Sequence, residues 1–450
     1  MNKPDQDDRS VSVPERRKRP RTQPAEDVRS RWLWTEGSVW TDRMLTTLEQ
    51  GVKGGKWFRL IDKVFSERCL YAAARQVLSN KGASGVDHIS VEDFESRLIR
   101  EIRKLSQSLK DGTYRPQAIR RVHIPKPGST ETRPLGIPTV RDRVVQTAIV
   151  KVIEPIFEQE FAEQSYGFRP GRGCQDALRR VDELIQAGYV HIVDADLKGY
   201  FDTIPHDRLM DRLKDKIVDG RVLSLIEMFL KANIIDEMTQ WTPEFGAPQG
   251  AVLSPLLSNV YLDPLDHVLA EAGFEMVRYA DDFVILCRSI EDASRALEMA
   301  QQWTSENGLT LHPTKTKVVD VRTDGFDFLG YHFHGTKHWV SDKSIRKLKE
   351  TIRQKTPRTS GRSLECIITD VNRTLRGWFE YFKSSRPWVF PRLDTFLRQR
   401  LRTILRKRSK RRGCARSGMD NRRWPNAFFA KHGLFNLVSA RAAAGQSSRR

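Results

Sequence analysis

Val277-Arg278-Tyr279-Ala280-Asp281-Asp282-Phe283-Val284-Ile285-Leu286 sets two β-rich apolar runs on either side of an acidic pair. This pattern predicts a hairpin carrying Asp281 and Asp282 at its turn, where water and ions reach them. Adjacent carboxylates repel, so their placement at the tip of an otherwise apolar hairpin points to a cation. Plain turn chemistry is the competing reading, because Asp tolerates turn geometry and solvates well.

A second acidic strand lies upstream, His191-Ile192-Val193-Asp194-Ala195-Asp196, followed by Leu197-Lys198-Gly199-Tyr200-Phe201-Asp202. If the two strands are neighbours in one sheet, Asp196 and Asp281 converge on a pair of divalent ions about 3.5–4 Å apart, the arrangement for in-line phosphoryl transfer. Mg²⁺ suits that donor set: it takes few carboxylates plus phosphate oxygens and water, and no soft ligands are offered. Asp194 and Asp196 are two apart and share a strand face.

These segments, with Gly246-Ala247-Pro248-Gln249-Gly250-Ala251-Val252-Leu253-Ser254-Pro255, resemble the palm motifs of a reverse transcriptase. The wording is similar to that of the group II intron-encoded reverse transcriptase/maturase family, from about Lys81 to about Phe435. The resemblance implies an α+β right-hand polymerase of fingers, palm and helical thumb with a basic helical C-terminal extension. It divides the chain into a basic, partly disordered extension (1–55), fingers and palm (56–334), a helical thumb or maturase domain (335–407) and a basic nucleic-acid-binding tail (408–450). It selects Asp196, Asp281 and Asp282 as catalytic metal ligands, with Asp194 left beside them. It sets Phe201 under the sugar of the nucleotide, where a bulky ring excludes a 2′-hydroxyl; palm core is the other reading of that ring.

Length and composition agree with a polymerase of this size. The 450 residues allow two or three domains, and 39% hydrophobic content supports real cores. Lys and Arg number 77 against 57 acidic residues, a net charge of +20 that implies a polyanionic partner. No 18-residue apolar run or signal-peptide core appears, so no membrane role and a cytoplasmic location are expected. Five scattered cysteines without a C-x-x-C pair suggest neither disulfides nor a zinc ribbon.

Other segments carry the expected binding residues. Met1 to about Ser30 reads as a disordered basic arm. Trp32, Trp34, Trp40 and Trp57, interleaved with Leu and Met, are assigned to core over base stacking. Two short strands bearing Lys126 and Arg133 would make a flap whose cations suit a triphosphate, as the family's fingers do. Arg169 and Arg172, among the glycines of Ser165–Gly173, would let backbone approach a template phosphate. Gln249 can read a base or nucleotide through its amide. Lys315 resembles the family lysine near the active site, and Phe326–His334 reads as one alternating strand at the primer-grip position.

From Ser341 onward the period becomes helical. Ile367, Val371, Leu375, Trp378 and Phe382 form one stripe, and Leu393, Leu397, Leu401 and Leu405 another, with Arg398, Arg402 and Arg406 one position round. Ten basic and no acidic residues separate Asp394 from Asp420, which predicts an arginine face for structured-RNA phosphates. The implied partners are intron RNA and RNA template, a DNA primer or target, and deoxynucleoside triphosphates; two Mg²⁺ ions are the implied cofactor. The residues after Arg412 offer only Cys414 and His432, too few for the Cys/His endonuclease of some family members, so priming from a 3′-end made elsewhere is expected. Alternatives are a retron- or defence-type reverse transcriptase without maturase activity and a splicing factor with an idle polymerase site; the intact acidic set speaks against the last.

Overall fold

The computed structural model describes residues 25–125, 132–237, 239–410 and 418–447. Its strands are β1 (Ile119–Pro125), β2 (Thr132–Ile137), β3 (His191–Asp196), β4 (Ile234–Asp236), β5 (Thr239–Trp241), β6 (Glu275–Tyr279), β7 (Asp282–Cys287), β8 (Lys317–Asp320), β9 (Phe326–Phe328), β10 (Tyr331–His334) and β11 (Lys337–Val340). They form three sheets, in the orders β2-β1-β4-β5, β6-β7-β3-β8 and β11-β10-β9.

The sheet β6-β7-β3-β8 is the palm, and every pairing in it is antiparallel. Its two faces feed different cores. Val193, Ala195, Met276, Phe283 and Ile285 face one core, shared with helices Val140–Glu158, Ser254–Glu271 and Ile290–Glu306. Ile192, Val277, Val284, Leu286 and Val319 face the other, shared with helix Cys174–Gln186 and the C-terminal helices. Each buried side chain contributes about 1.5–3 kcal/mol, and a one-residue slip of β3 would reverse its whole set. That periodicity fixes the register, and the register places the acidic residues.

The fingers lie N-terminal to the palm. Residues assigned above to a terminal extension belong to their core: Trp40 is fully buried with Leu45 and Leu48, and its indole donates to the Lys151 carbonyl (3.0 Å). Trp32 is also buried, whereas Trp34 is exposed. Ala25–Arg31 is helical, so the disordered-arm expectation fails for that stretch; residues 1–24 lie outside the described residues. β1 and β2 pair as the expected two-strand flap, with Arg133 opposite Ile124. Lys126 lies outside the described residues.

Three helices form the thumb, Asp342–Lys355, Leu364–Phe382 and Val389–Arg408. Both apolar stripes point inward, although Leu405 and Trp378 are only half-buried. The segment from Phe326 to His334 is two strands and not one: Leu329 (φ +47°) and Gly330 (φ +80°) turn the chain between β9 and β10. Left-handed backbone at that pair ends the strand where alternation alone would continue it. No helix among the described residues is long and apolar enough to cross a membrane.

Candidate active site

β3 and β7 are neighbours, with Asp196 directly opposite Asp282, and β6 and β7 join through the two-residue turn Ala280-Asp281. The hairpin expected from the sequence therefore brings Asp196, Asp281 and Asp282 to one end of the palm sheet. Burial raises the Asp281 carboxyl above its usual range, with Asp196 adding to the effect and Arg133 opposing it. Burial pushes Asp282 up to about 7, helped by Asp194, Asp281 and Asp196, and pushes Asp194 up to about 6. Four carboxylates thus share one another's field. The Lys315 ammonium sits 2.6 Å from Asp196 Oδ2, and Lys317 lies 3.9 Å from Asp194.

The donor set is hard, crowded and answered by cations, which fits a divalent ion. Among the described residues, no group of three or more His, Cys, Asp or Glu side chains forms an ion site. The expected three-carboxylate metal set is therefore not a preformed cage. Mg²⁺ does not require one, since one or two carboxylates plus substrate phosphates complete its shell.

Ala280 adopts a left-handed conformation (φ +61°), a strain of about 1–2 kcal/mol in a residue with a Cβ. The surroundings hold it there. Arg278, fully buried, pairs with buried Asp266 (2.5 Å), and its Nη1 donates to the Ala280 carbonyl and to Asn259 Oδ1 (both 3.0 Å). Asn259 in turn donates to the Gly167 carbonyl (2.8 Å). A Cβ on Gly167 would stand 2.3 Å from the Ala280 nitrogen, so only glycine lets that loop close on the turn. Sequence reasoning missed this clamp, although an Arg inside an apolar strand was a signal for it.

Phe201 follows Asp196 by five residues, in the short helix Tyr200–Thr203. Its carbonyl accepts from Ala247, and a Cβ on Gly246 would meet that carbonyl at 2.7 Å. Gly136 of β2 donates to the Gln249 carbonyl (2.6 Å), and Gln146 Oε1 accepts from Val252 (2.8 Å). These bonds join fingers strand, Phe201 and Gln249 around a cavity of about 460 Å³ that Arg121 and Trp241 also line. The Arg121 guanidinium stacks 4.7 Å from the Trp241 ring. Neither residue was expected from the sequence.

Several expected nucleic-acid contacts are corrected by the packing. Arg169 is buried, bound by both oxygens of Glu158 (3.0 Å) and by the Ala162 and Ser165 carbonyls, so it braces its loop and reaches no phosphate. Arg172 is half-buried, donating to the Glu163 carbonyl. Arg402 is buried, donating to the Trp424 carbonyl (2.9 Å) and Asn426 Oδ1 (3.0 Å). Arg406 pairs with buried Asp420 (2.6 Å), and Arg398 lies 4.0 Å from Asp394. Arg402 and Arg406 are thus held by the chain's own C-terminal segment, whose Trp424, Phe429 and Leu437 are buried against the thumb, whereas the carboxylate nearest Arg398 lies on its own helix.

Residues 124–333 match the reverse transcriptase (RNA-dependent DNA polymerase) family, and residues 345–424 match the group II intron maturase-specific domain. Protein YkfC of Escherichia coli (strain K12) is 33% identical over 354 residues, covering 70% of this chain and 92% of YkfC. The group II intron-encoded protein LtrA of Lactococcus lactis subsp. cremoris is 42% identical over 210 residues, covering 46% of this chain and 34% of LtrA. An uncharacterized 91 kDa protein in the cob intron of Schizosaccharomyces pombe is 30% identical over 330 residues, 60% of this chain and 41% of that protein. With its palm hairpin, fingers flap and helical thumb, the chain belongs to the group II intron-encoded reverse transcriptase/maturase family and is an RNA-directed DNA polymerase of right-hand fold.

Proposed function

We propose that Asp196, Asp281 and Asp282 hold two Mg²⁺ ions for nucleotidyl transfer. When bound, the ions activate the primer 3′-hydroxyl and neutralise charge on the departing pyrophosphate. The observation that carries the reading is the cross-strand register, which puts Asp196 beside the turn bearing Asp281. Lys315 holds Asp196 in place through its 2.6 Å contact. Arg133, whose charge is felt at Asp281, receives the triphosphate of a deoxynucleotide, with Lys126 as its partner cation. Phe201 closes the space a 2′-hydroxyl would need, and Gln249 meets the base pair from the opposite loop.

The template is intron RNA, and the thumb with its maturase-specific segment holds that RNA during splicing as well as during copying. Of the expected basic contacts, Arg172 keeps a share of template phosphate binding. The test is extension of a DNA primer on an RNA template with deoxynucleotides and Mg²⁺. Extension that stops on chelation is expected; copying of DNA templates alone would overturn the RNA-directed reading.

A further inference from the structure

In β10 and β11 the side chains alternate. Tyr331, Phe333 and Val340 point into the core, which leaves His332, His334 and Trp339 on the opposite face of the small sheet. Trp339 lies 5.0 Å from the His332 ring and 6.4 Å from Trp388, which opens the last thumb helix. Trp388 is 45% exposed, whereas Val389 and Phe390 beside it are buried. The Arg392 guanidinium lies 5.0 Å over the Trp388 ring. Lys337 and Arg386, each two residues from one of these tryptophans, and Arg392 are exposed, and none of the three has an ion-pair partner among the described residues. The nearby carboxylate, Asp327, is taken up by His332 (2.7 Å).

An exposed Trp388 ring with half-buried Trp339 beside it, rimmed by cations that have no carboxylate partner among the described residues, has the composition that takes up unpaired nucleotides: every base offers a π-face, and phosphates answer the charges. An apolar protein surface would leave these three cations without counter-charge, whereas a nucleic-acid strand supplies a phosphate with each nucleotide. We propose that Trp388 and Trp339 form a stacking platform for the bases of an unpaired nucleic-acid strand, whose phosphates meet Arg392, Arg386 and Lys337. The proposal rests on the reading of this chain as a template-copying polymerase, and adds a strand-holding site outside the nucleotide cavity.

The test measures binding of labelled 12-nucleotide oligothymidylate, oligouridylate and an abasic oligodeoxynucleotide to the full chain, with primer extension run in parallel. Wild type should prefer the base-bearing strands. Trp388→Ala should weaken their binding about 10-fold while leaving abasic binding unchanged, and Trp388→Phe should restore most of the loss. Arg392→Gln should weaken all three strands and flatten the salt dependence. Equal losses for both base-bearing strands mean that DNA and RNA use the platform alike; a loss confined to one names that strand. Unchanged binding by Trp388→Ala, or a loss that includes the abasic strand equally, overturns the stacking site. Asp196→Ala should bind normally without extending, so failure of the polymerase reading would show in extension and failure of the platform in binding.

Discussion

Arg278→Met removes one half of a buried ion pair and leaves Asp266 as an uncompensated charge with no solvent access. Breaking such a pair costs about 3–5 kcal/mol, a large part of a domain's stability of roughly 5–15 kcal/mol. The second change, Asp266→Leu, removes the stranded carboxylate. Replacing both partners by apolar groups of similar size is often close to neutral, so the double variant should regain most of the loss in urea denaturation. Activity should not return with it. The Ala280 carbonyl and Asn259 still lack the Nη1 donor that holds the left-handed turn, and displacement of Asp281 by about 1 Å would lower single-nucleotide incorporation on the order of 100-fold. A double variant with restored stability and wild-type incorporation would refute the clamp and leave Arg278 a structural residue only.

Glu154 offers a pH test. Burial, then repulsion from Glu158, pushes its carboxyl up to about 7, whereas the unfolded chain titrates near 4.5. The folded state holds a proton that the unfolded state has released, so stability falls as pH rises from about 4.5 to about 7, by on the order of 3 kcal/mol. Glu154→Gln should therefore stabilise the protein at pH 8 and far less at pH 5, read by urea denaturation at each pH; equal effects would contradict the assignment. Phe201→Ala should raise ribonucleotide use relative to deoxynucleotide use on the order of 10-fold, read from kcat/KM ratios, and an unchanged ratio would make Phe201 palm core. Arg402→Ala should lower stability by about 2–4 kcal/mol and expose the segment after residue 418 to protease, with the salt dependence of RNA binding unchanged. Weaker RNA binding at wild-type stability would restore Arg402 to the RNA face.

The acidic end of the palm was legible because two periodicities agree there: alternation in β3 and β7 fixes which residues go inward, and an acidic pair in an apolar hairpin has few uses. The thumb stripes were legible for the same reason, at helical period. Which arginines face solvent was not, because the sequence pattern of helix Val389–Arg408 says that its arginines lie beside an apolar stripe, not that a later segment covers them. Asp420 and the Trp424 carbonyl, distant in sequence, decided that outcome. The same holds for Arg169, whose partner Glu158 sits at the end of a helix that periodicity had already assigned to scaffold. Left-handed backbone at Leu329 split an expected strand, a local conformation that alternation does not report.

In the proposed mechanism Asp196 and Asp281 carry the chemistry and not the docking of nucleic acid. Single-turnover incorporation of one deoxynucleotide on an RNA template, titrated with Mg²⁺, tests it directly in Asp196→Asn and Asp281→Asn. Each variant should lose at least about 1,000-fold in rate while binding primer–template with wild-type affinity, because the ligand removed acts in the transition state. Incorporation near the wild-type rate in either variant, at any Mg²⁺ concentration, would remove that carboxylate from the metal site.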